Sequence, residues 1–158
     1  MKYIGAITGD IVGSIYEWHN MEPKQVIVWR KDLQVRKGKL ASQIAHASMG
    51  VLFNYMTPNY TNPGEMTRTF TINLPEGELG EFMYRWMTGI FKKVVVSVDS
   101  LEELTNAYEA AKLAGIPCSI IEDCGLTEFG GVPTVTAIAI GPDNPDKIDK
   151  ITGKFNLL

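Results

Sequence analysis

The sequence predicts a single α/β domain built on a mixed sheet. Three observations carry that reading. Four short runs rich in β-branched residues (24–30, 92–98, 116–123 and 134–141) alternate with segments of helical period. The 158 residues, 45% of them hydrophobic, suffice for one ordinary core. No internal repeat, low-complexity tract or interdomain linker breaks the chain.

The elements follow in order. "KQVIVWR" (24–30) is a buried strand, and "RKDLQVRKGK" a polar connection. A helix is predicted from about Lys37 to Tyr55, because Leu40, Ile44, Ala47, Val51 and Tyr55 recur on one face. Pro58, Pro63, Gly64, Pro75 and Gly77 make residues 57–78 a loop, with room for a short strand at "TRTFTIN". "EGELGEFMYRWMTGIF" (76–91) is a second, short helix anchored by Phe82, Met83 and Trp86. "KKVVVSV" (92–98) is the next strand. The helix after it starts at Ser100, with Glu103 placed to complete a capping box, and stops at Gly115. "IPCSIIED" (116–123) and "TVTAIAIG" (134–141) are strands. "DNPDKIDKITG" is a short helix with Asn144 as cap and Pro145 at its first position.

The charge is unevenly spread. The net charge is −3, yet six of the fifteen basic residues fall within 24–39, against one of the eighteen acidic ones. A local patch of this kind steers a polyanion even on an acidic protein, because the near field outweighs the total. Cys118 and Cys124 are too few for a disulfide framework or a four-cysteine zinc site, and read as reduced packing residues of a cytoplasmic protein. No apolar run reaches the ~20 residues that span a bilayer. The opening is no secretory signal, since it has one lysine and Asp10 interrupts its apolar stretch. With two histidines, a histidine-rich metal site is not expected. GxSxG, P-loop and HExxH motifs are absent, so serine-triad, nucleotide-triphosphatase and zinc-protease readings have no footing.

Two stretches carry chemistry. In "RKGKLASQIAHA" (36–47), Lys39, Gln43 and His46 share one helix face. Lys37-Gly38-Lys39 opens that helix, where free N–H groups and the dipole attract anions and a phosphate could dock. A solvated basic helix start is the plain alternative. In "IIEDCGLTEFGGVPTVTAIAIGP" (120–142), Asp123 falls at the carboxyl end of a strand, the edge where α/β sheets bind ligands. Thr127 lies in the glycine-bearing loop, and Thr134 and Thr136 alternate along the following strand on one side. A carboxylate with nearby hydroxyls orients a water or a ribose hydroxyl. The plain alternative is Asp123 as a loop cap and the threonines as strand formers.

Together these stretches resemble the type-2 peptidyl-tRNA hydrolases. "KQVIVWRKDLQVRKGKLASQIAHAS", "KKVVVSVDSLEELTNAYEAAKLAGIPCSIIEDCGLTEF" and "TVTAIAIGPDNPDKIDKITGKFNLL" match in the family's order, over about residues 24–56 and 91–158. The resemblance implies a mixed four-stranded sheet flanked by helices, usually in a homodimer. It implies hydrolysis of the ester joining a peptide to the tRNA 3′ ribose, which recycles tRNA from aborted translation, with no metal or organic cofactor. The family's functional residues match Lys39, Asp123, Thr127 and Thr136, with Gln43 and His46 in the same helix motif. On this reading Asp123 positions or deprotonates the water, directly or through Thr127, and Lys39 stabilises the oxyanion or holds the terminal phosphate. The acceptor stem would lie along Arg30, Lys31, Arg36 and Lys37. A related hydrolase acting on another ester, an amide or an aminoacyl-tRNA, and a non-catalytic adaptor, are the alternative functions.

The chain departs from the family in residues 57–90, which are longer than usual and open to use as a lid, a dimer contact or plain packing, with packing favoured. Glu128 stands where the family commonly has Gln, and "FGGVP" replaces a shorter proline-rich link. Domain boundaries are expected at 1–21 for an N-terminal extension and 22–158 for the hydrolase domain. "YIGAITGDIVGSIYEW" (3–18) resembles only the N-terminal helix of ADP-ribosylglycohydrolases, and the Asp-rich metal motifs of that family have no counterpart here. Gly5, Gly9 and Gly13 would give that helix a bare stripe suited to close packing.

Overall fold

A computed structural model describes residues 21–59 and 68–158. The helical extension expected over residues 3–18 lies outside the described residues. The elements are β1 (Lys24–Arg30), α1 (Lys37–Phe53), β2 (Met56–Asn59), β3 (Thr69–Ile72), α2 (Glu78–Thr88), β4 (Lys93–Val98), α3 (Leu101–Leu113), β5 (Cys118–Asp123), β6 (Thr134–Asp143), α4 (Pro145–Thr152) and β7 (Asn156–Leu157). No described helix is long and apolar enough to cross a membrane.

The sheet runs β5-β6-β1-β4-β7. β1 and β4 are parallel, and the β5–β6, β6–β1 and β4–β7 pairs are antiparallel. The sheet is therefore mixed, but it has five strands rather than the four that the resemblance implies. The fifth comes from the segment after α4: Asn156 and Leu157 pair with Ser97 and Val96, and the Leu158 amide donates to Val95 O at 3.2 Å. A strand of two residues has no periodicity to read, so only the pairing reveals it. The proline-bearing stretch also holds more structure than a loop, since β2 and β3 form a separate antiparallel ribbon.

Strand alternation divides the core in two. Val26, Val28, Ile138 and Ile140 face α3 and α4, where Leu104, Ala107, Ala111 and Ile148 meet them. Ile27, Trp29, Ala137 and Ala139 face α1, meeting Ala47 and Val51. The alanines on that second face let the α1 backbone lie close to the sheet. Leu40, Ile44 and Tyr55 join the same cluster half-buried, so the face read from the helical period is the packing face. Phe82, Met83 and Trp86 are buried, as an anchor role requires, with α2 packed against β6.

The helix ends obey their local chemistry. The Ser100 side chain accepts from the Glu103 amide at 3.1 Å, while Glu103 reaches back to the Asp99 amide at 2.8 Å. Asn144 accepts from the Asp146 amide at 2.9 Å. Gly115 ends α3 with φ +69°. Cys118 is half-buried beside the core, but Cys124 is exposed, so only the first packs as expected.

Candidate active site

The sheet order brings the two chemistry-bearing stretches to one end of the molecule. β1, β4 and β5 all run toward that end and β6 starts from it. α1 begins just after β1, so its first turns stand beside the carboxyl end of β5. Lys39 and Gln43 sit on those turns, Asp123 ends β5, and Thr127 lies in the loop from β5 to β6.

These residues are joined by hydrogen bonds. Lys39 Nζ donates to Asp123 Oδ2 at 2.5 Å and to Thr127 Oγ1 at 3.0 Å. Gln43 Nε2 donates to the same Asp123 oxygen at 2.8 Å, and Gln43 Oε1 accepts from Thr136 Oγ1 at 2.8 Å. The second Asp123 oxygen accepts from the Gly125 amide at 2.9 Å. The Asp123 and Lys39 side chains are only 9% and 15% exposed, so water screens this pair weakly. The Lys39 ammonium, bonded to the carboxylate, holds Asp123 below the usual carboxylate range against the opposing effect of burial, with help from Gly125 and Gln43.

Thr136 reaches Gln43 only because of a bulge. Ile121 pairs with Ala137 and Glu122 with Val135, which leaves Thr136 as the extra residue on β6. Strict alternation would turn Thr136 to the side of Ile138, away from α1. The bulge instead moves Val135 to that side and brings the Thr136 hydroxyl to the α1 face. Thr134 does not join the network: its hydroxyl donates to Val132 O at 2.9 Å. Gly125 keeps the loop close to Asp123. Its φ is +80°, and a Cβ there would stand 2.3 Å from Val132 O.

His46 is exposed on α1 and forms no hydrogen bond with any described residue, so it stands apart from the other five predicted residues. The four basic candidates also separate. Arg30 is turned inward, held by Asp32 at 2.7 Å and by Val135 O at 2.8 Å. Lys31 pairs with Asp99 at 3.0 Å, with both side chains largely in solvent. Arg36 pairs with Glu128, and Lys37 is exposed.

An open cleft of about 510 Å³ fronts the network, lined by Arg36, Gly38, Lys39, Ser42, Thr127 and Glu128. Open space faces Gly38, so the backbone is accessible there. The part that sequence reasoning missed is the Arg36–Glu128 contact, although both residues flank its motifs. Glu128 accepts from Arg36 Nε at 2.6 Å and from the Arg36 amide, at the cap of α1, at 3.0 Å. The ribbon starts from the other end of α1. Lys39 lies in the first turn of α1, and the helix ends at Phe53, 14 residues or ~21 Å further along its axis, just before the ribbon begins.

The arrangement is an α/β scaffold that holds a lysine–carboxylate pair, with ordered amide and hydroxyl groups, at the mouth of an open cleft: a site suited to polar hydrolytic chemistry on an anionic substrate. The family model described as Peptidyl-tRNA hydrolase PTH2 matches residues 23–158, and the chain belongs to that family. It is 39% identical over 135 residues to a peptidyl-tRNA hydrolase of Methanothermobacter thermautotrophicus, covering 85% of this chain and 99% of the relative. A peptidyl-tRNA hydrolase of Sulfurisphaera tokodaii is 36% identical over 138 residues, covering 87% and 100%. One of Methanocaldococcus jannaschii is 40% identical over 135 residues, covering 85% and 99%.

Proposed function

We propose that this protein hydrolyses the ester that links a peptide to the 3′ ribose of tRNA, and that Lys39, Gln43, Asp123, Thr127 and Thr136 carry the reaction. The observation that supports the site most directly is the Lys39 ammonium, bonded at once to Asp123 and Thr127 at the edge of the cleft. Two of its three N–H groups are taken, and one remains for the substrate. That donor suits either the oxyanion formed when water adds to the ester carbonyl or the terminal phosphate.

Asp123 is ionised at neutral pH but weakly basic, because Lys39 stabilises its charged form. It therefore serves better to orient the attacking water than to hold its proton for long. The proton lost by the water passes to the departing ribose oxygen, so the products are a free peptide and an intact tRNA. Thr136 fixes which way the Gln43 amide points, and Gln43 in turn positions Asp123. The tRNA backbone meets Lys31, Arg36 and Lys37. Arg30, with three N–H groups already engaged, contributes its field more than direct contact. The homodimer that the resemblance implies and the cytoplasmic setting read from the cysteines belong to this proposal as well.

The test is release of peptide from a defined peptidyl-tRNA, with N-blocked and free aminoacyl-tRNA in parallel. Lys39→Ala and Asp123→Ala are each expected to lower turnover by roughly 10²-fold or more, as the loss of one key electrostatic group does. Parent-like rates in both folded variants would overturn the site assignment.

A further inference from the structure

We propose that Glu128 sets the strength with which this site takes a substrate phosphate, by occupying the Arg36 donors that a phosphodiester would use. The proposal rests on the reading of the protein as a peptidyl-tRNA hydrolase. A carboxylate that spans a guanidinium N–H and a backbone amide mimics the fork by which arginine and main chain bind phosphate. Glu128 makes this double contact at 2.6 and 3.0 Å. Its own side chain is only 10% exposed, whereas that of Arg36 is 82% exposed. The acid is thus covered while most of the Arg36 side chain faces solvent, and both residues line the cleft.

Position makes this contact matter. Glu128 follows Thr127, whose hydroxyl accepts from Lys39, so the carboxylate belongs to the loop that completes the catalytic network. Among the described residues, the cleft lining includes two cations, Arg36 and Lys39, and one acid, Glu128. Arg36 holds Glu128 below the usual carboxylate range, so the negative charge persists at neutral pH. A phosphate that takes the Arg36 Nε and amide donors therefore has to displace a resident anion, and the substrate must bring enough further phosphate contacts to do so. A substrate with a single ester and no phosphate meets no such competition. Glu128 is in this sense a specificity-determining residue, acting through Arg36 rather than on the reacting atoms.

Glu128→Gln keeps an acceptor for Arg36 and removes the charge. On peptidyl-tRNA its KM is expected to fall about fivefold with kcat little changed, because the group acts on binding and not on the transition state. Binding of deacylated tRNA is expected to tighten similarly. Its slope of log affinity against log salt is expected to steepen by ~0.7–0.9, the share of one additional neutralised phosphate. An N-acetylaminoacyl ester of adenosine, which lacks phosphate, is expected to show no change. Adding Arg36→Ala should abolish the gain. An unchanged or raised KM, an unchanged salt slope, or a gain that persists without Arg36 would each overturn the proposal. The tRNA-binding arm needs no hydrolysis, so it tests Glu128 even if the wild-type protein fails to cleave peptidyl-tRNA, an outcome that would reject the functional reading alone.

Discussion

Lys39 and Asp123 define each other's chemistry. The aspartate is held as a weak base by the ammonium, and the ammonium is aimed by the aspartate and Thr127. Removing the cation without removing bulk separates the two roles. In Lys39→Met the Asp123 pKa is expected to rise, because its main charge-stabilising partner is gone while burial remains. The sign follows: a depressed folded-state pKa adds stability above the ordinary carboxylate range, and that stability is lost as pH falls through the depressed value. The variant, with less depression to lose, should shed less stability than the parent as pH falls through the acid range, and carboxyl NMR titration with unfolding midpoints across that range checks both effects. An unmoved Asp123 titration would contradict the argument. The sequence made both residues visible as candidates, one at a helix start and one at a strand end. It could not show that they touch, since 84 positions separate them. Thr136 was visible only as a hydroxyl on a strand, because pairing partners rather than residue types create the bulge that aims it. His46 shows the converse: helical spacing placed it on the Lys39 face, but two turns along, that face has moved beyond the strand end where Asp123 waits.

At the scale of elements, the loop between β5 and β6 is the most demanding piece. Gly125 holds a positive φ, passes within van der Waals reach of Val132, and donates its amide to Asp123. Gly125→Ala would impose both strain and a clash on the backbone oxygen of Val132. The expected cost is about 1–3 kcal/mol of stability, accompanied by a fall in kcat because the Asp123 carboxylate loses its fixed donor. Thermal unfolding and single-turnover rates measure the two parts, and a variant with parent-like values of both would show that the loop yields more easily than its geometry indicates. The regular elements were legible because their signals are local. Ser100, Asn144 and Gly115 act on neighbours within a few residues, and α1 advertises its face through Leu40, Ile44, Ala47 and Val51. The ribbon of β2 and β3 was only half legible, since Pro58 reads as a break and yet pairs with Phe70 across an isolated two-stranded edge.

For the whole molecule, the five-stranded sheet separates support from chemistry. One face is packed by α3 and α4, the other by α1, and the site lies at the strand ends between α1 and the β5–β6 loop. The family match begins at residue 23, and every residue assigned to the reaction falls within 39–136. Removing residues 1–20 is therefore expected to leave kcat/KM on peptidyl-tRNA at the parent value, while the unfolding midpoint reports any packing role. A folded but inactive truncation would place part of the site outside the hydrolase domain. The order of strands and helices could be read from the sequence because each has its own period. The count of strands could not, because β7 exists only by virtue of its partner.

The spacing of the site's hydrogen bonds has a consequence for the way the protein matures. Lys39 to Asp123, Gln43 to Asp123 and Gln43 to Thr136 link positions 84, 80 and 93 apart in the chain. Contacts of that range form late, after the entropy of closing long segments has been met by the surrounding core. No half-folded chain that still lacks the pairing of β5 with β6 can present Asp123 and Thr136 to α1. Competence to react thus requires β5 and β6 to be paired and packed, and its first appearance marks the moment when they lock against α1.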